Sequence, residues 1–170
     1  MVVIVFGLPG SGKSYFASRL AKMIRADYIN SDRLRRETFK ERTYSEQEKA
    51  AVYHSMLTKM LEAVNQNRNV VLDATFHKND IRRPFVLELE GRGDVYFIEV
   101  QANENIIRER LKKERPYSDA DFEVYKFIRQ LWEPLNDPHL LLESTDENID
   151  NMLHKAANYL NWKNDKRTDQ

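Results

Sequence analysis

Val2-Val3-Ile4-Val5-Phe6-Gly7-Leu8-Pro9-Gly10-Ser11-Gly12-Lys13-Ser14 is the stretch from which the rest of the chain can be read. Five consecutive apolar residues with no polar alternation fit a strand covered on both faces. Gly7 to Ser14 then satisfies GxxxxGK[ST], the phosphate-loop spacing. Gly7, Pro9, Gly10, Ser11 and Gly12 form a turn that aims backbone N–H groups at a phosphate, and a helix beginning near Lys13 adds its positive dipole end. The Lys13 ammonium is placed to reach β and γ phosphates, and the Ser14 hydroxyl to bind Mg²⁺ beside phosphate and water oxygens. These residues point to a nucleoside triphosphate donor such as ATP, held with Mg²⁺.

Outward from this stretch, similar apolar runs recur at Asp27 to Ile29, Asn69 to Asp73, Asp94 to Val100 and His139 to Leu142. Segments of helical period separate them. In Gln47 to Asn67, Val52, Tyr53, Met56, Leu57, Met60, Leu61 and Val64 trace one apolar face. Alternating strand and helix predicts an α/β fold with a central parallel five-stranded sheet flanked by helices, its ligands lying outside the carboxyl ends of the strands.

The 170 residues suit one domain, about 1–162, followed by a polar tail over 163–170. With no cysteine, the sequence excludes a disulfide framework, zinc-finger spacing and thiol catalysis. The longest apolar stretch is far short of the roughly 20 residues of a membrane span, so a cytoplasmic protein with no membrane contact is expected. The 27 basic and 27 acidic residues cancel, but residues 1–85 carry 15 Lys/Arg against 9 Asp/Glu, which places an anionic ligand in the first half.

After the second strand, Asp32 and Arg35 stand one helical turn apart, so a carboxylate able to take a hydroxyl proton shares a face with a guanidinium able to hold a neighbouring anion. Alternatively, Ser31 or Asp32 merely caps a helix from Arg33 to Phe39. Asp73 ends an apolar strand, where a carboxylate binds Mg²⁺ or touches an acceptor. Thr75, Arg82 and Arg83 follow it as candidate substrate contacts, with Lys78 in the same basic helix start. A later basic run, Arg108 to Arg115, stops at Pro116, and a new helix is expected near Ser118 with Asp121 completing its capping box. That break reads as a helical lid over about 108–121, with Arg115, or else Arg110, closing on the nucleotide phosphates. Ser144 and Thr145, after the last strand, are candidates to lie near the nucleotide base.

GLPGSGKS, Asp32-x-x-Arg35, the LDAT of Leu72 to Thr75 with Arg82 and Arg83 behind it, and the Arg-rich run before SDADFEVY together resemble the P-loop kinases related to polynucleotide 5′-hydroxyl kinase, a group within the AAA-type and zeta-toxin-related P-loop kinases. The resemblance implies a kinase-type P-loop domain that moves the ATP γ-phosphate to a hydroxyl. By its positions, Lys13 and Ser14 hold donor and Mg²⁺, Asp32 is the general base, Arg35 grips the acceptor's neighbouring phosphate, Asp73 touches acceptor or metal, and Arg115 is the catalytic lid arginine. The basic side chains of Arg25, Arg33, Arg35, Arg36, Lys40 and Arg42 around Asp32, with Arg82 and Arg83 after Asp73, favour the 5′-hydroxyl end of a nucleic acid as acceptor, with end-repair proteins as partners. A small-molecule kinase acting on a sugar, antibiotic or nucleotide sugar is the alternative, and an ATPase switch with water as acceptor is a third reading.

Overall fold

The computed structural model describes residues 1–114 and 118–162. The elements run β1 (Val2–Phe6), α1 (Lys13–Met23), β2 (Asp27–Asn30), α2 (Ser31–Thr38), α3 (Glu46–Asn65), β3 (Val70–Asp73), α4 (Asn79–Leu89), β4 (Val95–Gln101), α5 (Glu104–Leu111), α6 (Phe122–Gln130), β5 (Leu140–Glu143) and α7 (Ile149–Tyr159). The strands form one parallel sheet in the order β2-β3-β1-β4-β5, as the alternating pattern predicts.

β1 is buried along its whole length, and its alternate side chains feed two separate cores. Val2, Ile4 and Phe6 pack with α3 and α4 through Met56, Met60 and Phe85. Val3 and Val5 pack with α1 and α7 through Phe16, Leu20, Met152 and Ala156. Sandwiching between helices is why the strands read as unbroken apolar runs. A third, smaller cluster, Ile107, Leu111 and Tyr125, joins α5 to α6 and takes in Leu8 of the phosphate loop. The α5–α6 unit is thereby fixed beside that loop.

Two helix starts differ from expectation, and both for capping reasons. α2 begins at Ser31 because Asn30 Oδ1 accepts the Arg33 backbone N–H at 2.9 Å, so neither Ser31 nor Asp32 is the cap. α6 begins at Phe122, not near Ser118, because Asp121 Oδ1 accepts the Val124 N–H at 2.9 Å and is itself the cap. Arg115 and Pro116, expected at the break in the lid, and the tail 163–170 lie outside the described residues. Among the described residues no helix is long and apolar enough to cross a membrane.

Candidate active site

The phosphate loop leaves the carboxyl end of β1, between β3 and β4, and runs directly into α1. Its glycines are sterically required at two points. A Cβ on Gly7 would stand 2.3 Å from the Val100 carbonyl oxygen, and one on Gly12, at φ 90°, would stand 2.6 Å from Ser144 Oγ. The second contact shows that the β5–α7 loop closes against the start of α1. Ser11 is buried with its Oγ unpartnered.

Two cavities flank the loop. The larger, ≈ 650 Å³, is walled by Gly10, Gly12, Lys13, Ser14, Arg110 and the Ser144–Asp146 turn, with Tyr15, Tyr28 and Asn30 at its side. The smaller, ≈ 300 Å³, is walled by Pro9, Arg35, Tyr44, Lys49, Tyr53, Thr75 and His77, with Asp119, Val124, Phe127 and Ile128 from the α5–α6 side. Lys13, Asp32 and Ser118 line both. The carboxylate suspected as base and the phosphate-loop lysine therefore stand on the shared wall.

Arg35 is buried, ion-paired through Nε to Glu48 Oε1 at 2.9 Å and through Nη1 to Asp32 Oδ1 at 3.5 Å. Glu48 Oε2 accepts the Thr43 N–H at 2.7 Å and the Tyr44 N–H at 3.1 Å, which ties the α2–α3 loop to α3. Burial opposes ionisation of Glu48, but these donors and Arg35 outweigh it and hold its carboxyl below the usual range. Tyr44, at φ 54°, places its ring under Arg35, 5.0 Å from the guanidinium carbon. Its hydroxyl donates to Asp119 Oδ2 at 2.5 Å.

Asp119 is the point on which the neighbouring basic residues converge. Arg42 Nε lies 3.1 Å from Oδ2 and Arg36 Nη2 3.5 Å from Oδ1. The Tyr44 hydroxyl and then Arg42 hold the Asp119 carboxyl below its ordinary range. Two of the cations expected to gather a nucleic acid around Asp32, Arg36 and Arg42, are thus engaged with a carboxylate from the far side of the cavity, while Arg33 lies over the Tyr28 ring and lines the larger cavity. Arg25 follows α1 and precedes β2, which puts it at the amino end of the strands, away from the site.

Asp73 lies at the carboxyl end of β3, in register with Val5 of β1 and Asn30 of β2, and is 0 % exposed. Its Oδ2 accepts the Tyr28 hydroxyl at 2.5 Å and Asn30 Nδ2 at 2.6 Å, while Oδ1 is buried without a partner. Burial and then the Asp73 charge push the Tyr28 phenol far up, so it remains a donor. Expected to touch the acceptor, Asp73 lines neither cavity, because those two donors turn it inward. The Ser14 hydroxyl on the cavity wall is a hard oxygen donor that fits Mg²⁺ held chiefly by phosphate and water, and the orphaned Asp73 Oδ1 at the carboxyl end of β3 is a second oxygen of the same kind.

Thr75 lines the smaller cavity, but the two arginines behind it do not. Arg82 is buried and donates to Asn79 Oδ1 and to the Glu133 carbonyl, each at 2.6 Å, with its guanidinium over the Phe6 ring. Arg83, the next residue on α4, is solvent-exposed. Of the two lid candidates, Arg110 is the one described. Its Nη1 contacts Ser144 Oγ at 3.2 Å and the Gly10 carbonyl at 3.4 Å, and its Nη2 contacts Asp146 Oδ1 at 3.0 Å, so it spans the larger cavity from loop to loop. The sequence reading missed Tyr44, Lys49, His77 and Asp119, of which Asp119, two residues before a capping acid, carried the nearest thing to a signal.

The chain matches the model of the AAA domain family over residues 2–135. It is 30% identical over 139 residues to a shikimate kinase of Corynebacterium efficiens, covering 79% of this chain and 80% of that protein. Its fold resembles that of a sugar kinase from a Janibacter species, with TM-score 0.72 and 16% identity over 94% of each chain. It also resembles the APS kinase of Mycobacterium tuberculosis in complex with AMPPNP and APS, with TM-score 0.70 and 17% identity over 94% of this chain and 96% of that one.

Proposed function

We propose that this chain, a P-loop kinase belonging to the AAA domain family, transfers the γ-phosphate of ATP to a hydroxyl of a small molecule. One observation carries the reading: Lys13, Asp32 and Ser118 line both cavities, so a donor in the larger and an acceptor in the smaller would meet at that wall.

In this reading the phosphate loop and Lys13 hold the β and γ phosphates, and Arg110 bridges loop and donor from above. Ser14, backed by Asp73, would hold Mg²⁺, which when bound neutralises charge on the phosphate oxygens. The acceptor oxygen attacks the γ-phosphorus, the bond from γ-phosphorus to the bridging oxygen breaks, and ADP leaves with that oxygen. The hydroxyl proton passes to the Asp32 carboxylate, which is the base. Asp32 has no capping duty, and Arg35, itself fixed by Glu48, holds it from one side.

The smaller cavity supports a metabolite over a polynucleotide. At ≈ 300 Å³ it is at the low end of ligand pockets, and Arg36 and Arg42 are committed to Asp119. The curated relative, a shikimate kinase, points the same way. The test is ATP consumption with Mg²⁺ in the presence of pooled hydroxyl metabolites, of 5′-OH oligonucleotides, and of neither. Stimulation by the metabolites alone is expected. A full rate with no acceptor would point instead to an ATPase switch.

A further inference from the structure

We propose that Lys49 and His77 form an anion-reading end of the smaller cavity, so that the acceptor is a small hydroxy acid whose carboxylate or phosphate is held there while its hydroxyl meets Asp32. The inference rests on the kinase reading above and narrows its substrate class.

The charged residues lining this cavity are Lys13, Arg35 and Lys49 against Asp32 and Asp119, an excess of one positive charge. Arg35 is compensated by Glu48 and Asp32, and Asp119 by Arg36 and Arg42. Lys13 belongs equally to the donor side. Lys49 is different. Its ion-pair partner is Glu46 at 2.8 Å, whose side chain is 89% exposed and does not line the cavity, whereas the Lys49 side chain is 26% exposed. A solvent-exposed i,i+3 pair of that kind is weak and screened by salt, so a substrate anion would displace Glu46 at little cost.

His77 supplies the polar complement. It is 5% exposed, and its Nδ1 is buried without a partner, a state that costs stability unless a ligand repairs it. Burial first, then the charges of Lys49 and Lys78, keep the imidazole below its ordinary range against the opposing pull of Glu46 and Glu133. The ring is therefore a neutral hydrogen-bonding group at pH 7, and the formal charge of this end stays on Lys49. The backbone that brings it there is strained: Phe76, fully buried, sits at φ 47°, locked by ring contacts of 5.3 Å to Tyr53 and 5.1 Å to Phe85. On the α6 side Phe127 lines the same cavity while 55% exposed, an apolar surface suited to the carbon skeleton of such an acid.

The test is label transfer from γ-labelled ATP to hydroxy acids, each paired with its neutral counterpart: D-gluconate with D-glucose for a carboxylate, glycerol 3-phosphate with glycerol for a phosphate, and further pairs of both kinds. The acid should be the better acceptor by at least about tenfold, and the arm that labels identifies which anion is read. Lys49→Gln should raise the KM for the acid about tenfold or more with kcat and the KM for ATP little changed. Glu46→Gln breaks the same ion pair and should leave the acid's KM unchanged or lower it. His77→Ala should raise the acid's KM, and His77→Gln should recover part of the loss. Equal or better use of the neutral partners, or identical behaviour of Lys49→Gln and Glu46→Gln, overturns the proposal while leaving the kinase reading intact. Label confined to 5′-OH oligonucleotides, or no labelled acceptor at all, overturns the small-molecule reading and this proposal together.

Discussion

Asn30 Oδ1 receives the Arg33 N–H at 2.9 Å, and the Asp32 carboxylate beside it is thereby released from helix capping to face both cavities. The two neighbours therefore separate stability from chemistry. Asn30→Ala should cost about 1 kcal/mol of stability for the cap, and more in so far as it also strips a donor from Asp73. Asp32→Asn should lose about 10² to 10⁴ in kcat with little change in melting temperature. Thermal melts and steady-state kinetics on the two variants check this, and equal losses of stability would return Asp32 to a structural role.

Arg110 joins the Gly10 carbonyl, Ser144 and Asp146 across the donor cavity. A hydrogen bond to a charged group is worth about 1.5–3 kcal/mol, so Arg110→Ala should raise the KM for ATP roughly tenfold to a hundredfold. Direct titration with a non-hydrolysable ATP analogue measures it. Unchanged affinity would remove Arg110 from the donor site.

Arg82 is a structural residue by the same reasoning. Loss of its guanidinium leaves the Glu133 carbonyl and Asn79 Oδ1 without their donor, a cost of about 1–3 kcal/mol. Arg82→Ala should lower the melting temperature by several degrees and leave the KM values for both substrates near those of the wild type, as kinetics below the melting range will record.

The clasp on Asp119 predicts a pH dependence. Its carboxyl, held low first by the Tyr44 hydroxyl, contributes stability that is fully present above the unfolded-state pKa of about 4 and is lost as pH falls through the lower folded value. The melting-temperature difference between wild type and Asp119→Asn should therefore be constant near neutrality and shrink below about pH 4. A difference that grows in acid would contradict the clasp.

The sheet and donor loop were legible because their signals are local and nearly redundant: a continuous apolar strand, a fixed loop spacing and a following helix. The acceptor side was harder to read. Asn30, Ser31 and Asp32 are all good capping residues in a row, and only backbone geometry selects the first. Arg82 and Arg83 are adjacent in sequence but about 100° apart around α4, so one turns into the core and the other into solvent. Tyr44, Lys49, His77 and Asp119 come from three separate segments, each of which reads alone as an ordinary polar loop or helix start. Arg36 and Arg42 near Asp32 read as part of a polyanion site because their ion-pair partner, Asp119, lies more than seventy positions away.

The most direct test of the account is a single panel of γ-labelled ATP transfer in which small hydroxylated metabolites and 5′-OH DNA and RNA oligonucleotides are offered to the wild type and to Asp32→Asn. The account predicts label on a small metabolite, none on the oligonucleotide ends, and loss of that label in Asp32→Asn. Label on oligonucleotide 5′ ends with none on any metabolite, or transfer undiminished in Asp32→Asn, would contradict it.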